Sequence, residues 1–404
     1  MESLFISLGL SEDLAIFITA IIVGTILIHF LAIFAGFMTW IERRLAARFQ
    51  FRCGPNRVGP QGLLQWLADA VKLIIKEEII PQGADQTMFR LAPFMTVVGV
   101  FATFVVLPWG PNWIPADLDV GLLYLISITA LVVIGILMAG WASNSKWALL
   151  GGMRAAAQIV SYEIPVAMGL LPAILIAGSL SMGGLMRAQG WLPWDWIAFQ
   201  NPFSMLAFLI FFVGSIAESN RVPFDLPEAE SELVAGFFTE YTGFRFAAFG
   251  LAEFGNCWVV GATATAVFLG GGNLPGFLGE NALISLLVFS AKTLFMIFVL
   301  VWLRWTLPRF RIDQLMEFSW KYLLPMSFVA FFGQAVFMLI SWDSPMIQQV
   351  VSHAMFLGFL GLLFKFSTRV VANYKEHATP VNSRATDYVA PPVTEVEAEA
   401  AVAE

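Results

Sequence analysis

Long apolar runs, each closed by charge, turn residues or tryptophan, set the pattern of the chain. Nine are read, at Leu14–Trp40, Leu91–Trp109, Gly121–Trp141, Ser161–Gly178, Pro202–Ala217, Phe244–Leu269, Ala282–Arg304, Tyr322–Ile340 and Val350–Val371. They lie near the ~20 residues that cross a bilayer as helix. In lipid the backbone must satisfy its own hydrogen bonds, so the runs predict helices. The short alternating segments of a membrane barrel are absent. Residues 1–371 are therefore expected to form one all-α polytopic membrane domain. Residues 372–404, with Pro380, Pro391, Pro392 and an Ala/Glu/Val run to Glu404, are expected to be a disordered tail.

Composition agrees with this pattern. Charged residues make up 13% of the chain and apolar ones 58%, whereas a soluble domain needs about 25% charge to cover its surface. The first run is no signal peptide, because Glu2, Glu12 and Asp13 stand where a basic segment should. Of the 22 basic residues only Arg187 falls in an opposite-side connection and only Lys292 lies deep within a run, the others standing in or toward the same-side connections and the chain's end. The positive-inside rule then puts the N-terminus outside and the large charged connections, over 42–90 and 218–243, in the cytoplasm. The opposite-side connections carry Trp109, Trp113, Trp191, Trp194, Trp196 and Trp342, suited to an interfacial belt.

Cys53 and Cys257 cannot by themselves ligate an iron–sulfur cluster or a Cys-rich zinc site. No metal-ligand set, glycine-rich phosphate loop or bis-histidine haem pair is visible, and nothing points to nucleic acid.

Two cytoplasmic connections hold the candidate chemistry. The first is about 50 residues long, too long and too charged for a passive linker. Its segment Gly62–Glu78 has helical spacing, with Leu63, Leu64, Leu67, Ala70, Val71 and Ile74 on one face and Asp69, Lys72 and Lys76 on the other. A helix in the interface plane is expected there, and membrane anchoring is its plainest role. The second connection crowds Glu218, Asp225, Glu228, Glu230, Glu232 and Glu240 against apolar runs. Carboxylates so placed repel one another and lose hydration, which raises some of their pKa values and lets coupled groups pass protons. Glu163, at the start of the fourth run, Glu253 in the sixth and Lys292 in the seventh extend a buried polar route. The competing reading is that these acids only pair with Arg154, Arg221, Arg245 and Lys292 to fix the helices.

Several ordered blocks carry a family resemblance: Glu42-Arg43-Arg44, GPNRVGPQG at Gly54–Gly62, LADAVKLIIKE at Leu67–Glu77 and LLGGMRAAAQIVSYE at Leu149–Glu163. They continue in AESNRVPFDLPEAESELVAGF at Ala217–Phe237, Glu240-Tyr241 and LPRFRIDQLMEFSWKYLLP at Leu307–Pro325. Over about residues 12–345 the chain resembles the H subunit of bacterial NADH–quinone oxidoreductase, the respiratory complex I, equivalent to mitochondrial NADH dehydrogenase subunit 1. The resemblance implies a multi-pass subunit of the cell inner membrane, without redox groups of its own, in a proton-pumping translocase. NADH, FMN and iron–sulfur clusters would lie on partner subunits, and quinone would be a substrate in a shared chamber. Its partners would be the peripheral quinone-module subunits, the small membrane subunits and the bilayer. By the same resemblance Glu42, Arg43, Ala68, Asp69, Lys72 and Glu77 border or support the quinone passage. Glu163, Glu218, Asp225, Glu228, Glu230, Glu232, Glu240 and Glu253 form an acidic proton pathway leading inward. One departure is Ile312, where the family often has tyrosine between arginine and aspartate. The ninth run is also additional to the common eight-span core.

Two other functions are weighed. One is the anchor of a related hydrogenase or ferredoxin-linked complex, disfavoured by the intact Glu42-Arg43-Arg44 and GPNRVGP blocks. The other is a stand-alone ion-coupled transporter, disfavoured by the lack of an internal repeat.

Overall fold

The computed structural model describes residues 11–110, 113–227, 229–276, 281–340 and 345–377. The ten principal helices are α1 (Glu12–Phe49), α2 (Gln65–Ile75), α3 (Gln86–Thr103), α4 (Gly121–Ala142), α5 (Lys146–Ala177), α6 (Pro202–Glu218), α7 (Gly243–Phe268), α8 (Ala282–Thr306), α9 (Ile312–Leu339) and α10 (Pro345–His377). Among the described residues seven of them, α1, α4, α5, α7, α8, α9 and α10, are long and apolar enough to cross a membrane.

The other two expected spans are helical but fall short. α6 has 17 residues, about 26 Å of rise against a hydrocarbon core of about 30 Å. α3 opens on Gln86-Thr87, carries Arg90 and holds Pro93 within its turns. Two boundaries also move. α1 runs on past Trp40 for 38 residues in all, so Glu42, Arg43 and Arg44 lie on its last turns and not in a loop. α5 begins at Lys146, which places Glu163 past the middle of a helix and not at the start of one.

Local chemistry explains the helix starts. Asp85 caps α3, accepting from the Thr87 and Met88 amides at 3.0 and 3.1 Å. Asn201 caps α6, accepting from the Ser204 amide at 2.8 Å, with Pro202 in the first turn where a missing N–H costs nothing. α5 ends at Gly178, whose left-handed φ of +65° suits glycine.

The chain divides into two compact units, residues 1–352 and 353–404. In the first, α5 packs on α4, α6 and α9, while α7 packs on α1, α3 and α8. Small residues permit the closest approaches. A Cβ on Gly135 of α4 would meet the Thr96 methyl of α3 at 2.5 Å. Phe30 and Phe34 of α1 pack edge-on to Trp258 of α7 at 4.9 and 4.8 Å, tying α1 to α7. Tyr241 stacks on Phe89 at 4.0 Å and donates to its carbonyl, folding the 236–241 connection back onto α3. The described part of the second unit belongs to α10, which continues as helix to His377. Residues 378–404, most of the expected disordered tail, lie outside the described residues.

Candidate functional site

Four charged side chains meet where α1, α7, α8 and the connection after α6 converge. Glu42, on the last turns of α1, is 6% exposed and its carboxylate accepts from two guanidinium groups. One is Arg221, at 2.8 Å, and the other is Arg304 of α8, at 2.5 Å. Arg221 also reaches Glu253 of α7 at 3.0 Å, and Arg304 lies 3.9 Å from the same carboxylate. Two acids and two bases balance to zero, as a buried cluster requires. Arg221 is 1% exposed and sits over the Phe254 ring at 4.6 Å, a cation held between carboxylates and an aromatic face. Beside it Asp225 receives Arg309 at 3.1 Å. Burial pushes the Asp225 carboxyl up to about 6, against the opposing pull of Arg309 and Arg304.

Local structure sets this geometry. Gln158 of α5, itself buried, donates to the Ala217 carbonyl at 2.8 Å, the Asn220 side chain at 3.1 Å and the Phe224 carbonyl at 2.8 Å. That staple holds the turn carrying Arg221 against the helix bundle. The Phe310 amide donates to the Pro223 carbonyl at 3.1 Å, drawing Arg309 to Asp225.

From the ion-pair cluster the polar path turns into a cavity of about 80 Å³ between α3, α4 and α7. Glu253 and Glu218 both line it, with Asn220 and Asn256 among aromatic walls such as Phe237 and Phe249. It is large enough for water and has several polar partners to hold it. Glu218 also lies close enough to Glu163 of α5 for their charges to interact. Among the described residues neither Glu163 nor Glu218 has an ion-pair partner.

The acids expected as one repelling cluster are therefore several different things. Asp225 and Glu253 are paired within the buried network, and Glu232 is bound by Arg154 at 2.6 Å near the surface. Glu240 is half-buried on the connection leading to α7. Glu228 lies outside the described residues, and only the backbone of Glu230 is described, at the start of a short helical turn. Glu163, Glu218 and Glu240 are left without an ion-pair partner among the described residues, and of these Glu163 and Glu218 lie close enough for their charges to interact.

The residues expected at the quinone passage divide in the same way. Glu42 and Arg43 are neighbours in sequence but part company, Glu42 turning into the buried cluster and Arg43 out to Asp69 of α2 at 2.5 Å. Lys72 adds a longer contact to Asp69, at 3.7 Å, and Gln65 donates to it at 3.2 Å. α2 lies against α1 and α7 with none of its own residues buried. Ala68, Lys72 and Glu77 are exposed, and so is the apolar face at Leu67, Val71 and Ile74. Trp66 anchors the helix by packing on Gly36 of α1, where a Cβ would approach its ring to 2.5 Å. The other end is tied to α7 by Arg245 and Glu78 at 3.0 Å.

Lys292 corrects the sequence reading. Its ammonium donates to the Leu269 and Gly271 carbonyls at 2.8 and 2.9 Å and faces the Trp196 ring at 4.1 Å. It closes the C-terminal end of α7 and does not extend the acid route, because free carbonyls at a helix end attract a cation. The reading of the sequence also missed Arg221 and Arg304 as members of the site, counting them only as topology signals or structural partners. The available signal was Arg221 set between Glu218 and Asp225 in the acidic connection; Arg304, at a span end, carried none.

The model of the family described as NADH dehydrogenase matches residues 21–335. The H subunit of NADH-quinone oxidoreductase from Anaeromyxobacter dehalogenans is 49% identical over 363 residues, covering 85% of this chain and 88% of that protein. The corresponding subunit of Chlorobaculum tepidum is 49% identical across 79% of this chain and 92% of its own length, and that of Geobacillus kaustophilus 48% across 74% and 89%. The extent of the match, across nearly all of the helical body, establishes that the chain belongs to the NADH dehydrogenase family, as a multi-pass, cytoplasmic-membrane component of the H-subunit type in NADH-quinone oxidoreductase.

Proposed function

We propose that this protein forms one wall of the quinone chamber and the first part of the proton path leading from it. The observation that carries the reading is the neutral cluster Glu42–Arg221–Glu253–Arg304, continuous through Glu253 with the polar cavity that Glu218 lines. Arg43, Asp69, Lys72, Ala68 and Glu77, at and around the junction of α1 and α2, border the chamber mouth. Partner subunits of the peripheral quinone module close it and carry NADH, FMN and the iron–sulfur clusters. Small membrane subunits continue the path. The N-terminus faces outside and the charged connections face the cytoplasm, the side from which electrons arrive.

The chemistry asked of the chain is electrostatic. Reduction places negative charge on the quinone before its protons arrive. One charge at about 10 Å contributes ~1.7 kcal/mol at an effective dielectric constant of ~20. That exceeds the ~1.4 kcal/mol of one pKa unit. A balanced cluster transmits such a change, because any movement of Arg221 toward Glu42 weakens its hold on Glu253. A proton can then pass between Glu253 and Glu218 through water in the cavity, and on to Glu163. Glu232 and Glu240 extend the acidic lining at the cytoplasmic surface, and Glu228 and Glu230, from the same connection in sequence, are assigned to the same path.

Glu253→Gln and Glu218→Gln test the reading in the assembled complex. Both should lose quinone-dependent turnover and proton translocation while NADH oxidation by an artificial acceptor persists. Assembled variants with normal turnover and pumping would reduce these acids to structural partners.

A further inference from the structure

Pro165 lies inside α5 and has no N–H, so the carbonyl of Ser161, one turn earlier, loses its helical donor. That carbonyl is nevertheless satisfied. Ser319 of α9 donates its hydroxyl to it at 2.7 Å, and Ser319 is fully buried. Ser319 belongs to a π-helical turn, Phe318–Leu323, which interrupts the α-helical course of α9. Such turns are rare and shift the register of the residues after them. Just before it, the Leu315 carbonyl accepts from the hydroxyl of Tyr162 at 2.8 Å. The two helices are thus stitched twice over one turn, once in each direction.

Glu163 sits inside this stitch, two residues after Ser161 and two before Pro165. We propose that Ser319 is a positioning residue for Glu163. Its hydroxyl holds the proline-weakened turn of α5 so that the Glu163 carboxylate stays within reach of Glu218 on α6. Ser319 acts through the Ser161 carbonyl and the backbone, without touching the carboxylate. Were the donor removed, a bare carbonyl would remain in a dry helix interface. The turn would then tilt or take up water, and either change displaces Glu163.

The proposal rests on reading Glu163 as a proton-path acid, and the experiment separates the two ideas. The rates of proton translocation and of quinone reduction are measured in membranes holding the assembled enzyme, with artificial-acceptor activity as the assembly control. The variants are Glu163→Gln, Ser319→Ala, Pro165→Ala and the double variant of the last two. Ser319→Ala should lower translocation about five-fold, the weight of one neutral hydrogen bond in an equilibrium. In the Pro165→Ala background, which returns an N–H to the Ser161 carbonyl, Ser319→Ala should cost nothing further. An impaired Glu163→Gln beside an unaffected Ser319→Ala overturns the positioning role and leaves the acid path standing. Equal losses from Ser319→Ala with and without Pro165 also overturn it, because the carbonyl would then be irrelevant. Normal translocation in Glu163→Gln removes both ideas. Should Ser319→Ala alone fail to assemble, the double variant decides. Translocation matching Pro165→Ala supports the proposal, and a further loss overturns it.

Discussion

Replacing Arg221 with methionine is the sharpest test of the buried cluster. The wild-type network holds two carboxylates and two guanidinium groups. Arg221→Met keeps much of the side-chain volume and leaves a net charge of −1 among buried groups. Arg304 still binds Glu42 at 2.5 Å but stands 3.9 Å from Glu253, so the deficit falls mainly on Glu253. Removing one partner of a buried pair costs about 3–5 kcal/mol; with Arg304 retained, the lower end, about 3 kcal/mol, is expected. The stacking of Arg221 on Phe254 is lost as well. The assay is the half-life of the assembled complex on warming, together with the ratio of quinone to artificial-acceptor rates before warming. Both should fall in Arg221→Met. Adding Glu253→Gln removes the surplus negative charge and should recover at least half of the lost half-life, the signature of charge balance. A double variant as labile as Arg221→Met would refute the reasoning, and so would a single variant with wild-type half-life and rate ratio.

Three further outcomes are expected. Arg43→Ala should change stability by less than about 1 kcal/mol, because the Arg43–Asp69 pair is half exposed. It should still lower quinone reductase activity more than artificial-acceptor activity, and equal loss of both would point to assembly instead. The Asp225 carboxyl, ordinarily near 3.8, is pushed up to about 6 by burial. Its contribution to stability is therefore full below the ordinary value and lost as pH rises through about 6. Asp225→Asn should flatten that part of the pH–stability curve, and an unchanged curve between about pH 4 and 6 would exclude the assignment. Lys292→Met leaves the Leu269 and Gly271 carbonyls without their donor, at a cost of about 1–3 kcal/mol. Thermal lifetime should shorten while the quinone KM stays unchanged; a raised KM would return Lys292 to the functional route.

The place of the helices was legible along the chain because lipid acts on each segment separately. A run such as Gly121–Trp141 has only one way to satisfy its backbone in a bilayer. The amphipathic course of α2 was legible for a similar reason, since its apolar residues recur at helical spacing. Boundaries were less so: the charge at Glu42–Arg44 reads as the end of a span, yet an α-helix does not stop at charge, and α1 continues to Phe49.

The partners of the charged side chains were decided only by the fold. Glu42 meets Arg221 across 179 positions and Arg304 across 262. No local pattern encodes such distances, because they depend on how each helix is rotated about its axis when it packs. Crowding in sequence likewise misled: Glu218, Asp225 and Glu232 belong to one connection, yet the fold gives them a cavity, Arg309 and Arg154 in turn. The sequence by itself determined which segments form long apolar helices and which acids lie next to them in the chain, since solvent and lipid select residues one segment at a time. Only the tertiary structure decided which charges are paired and which are left without a counter-ion, since a charge buried in a low dielectric answers to its nearest counter-charge in space.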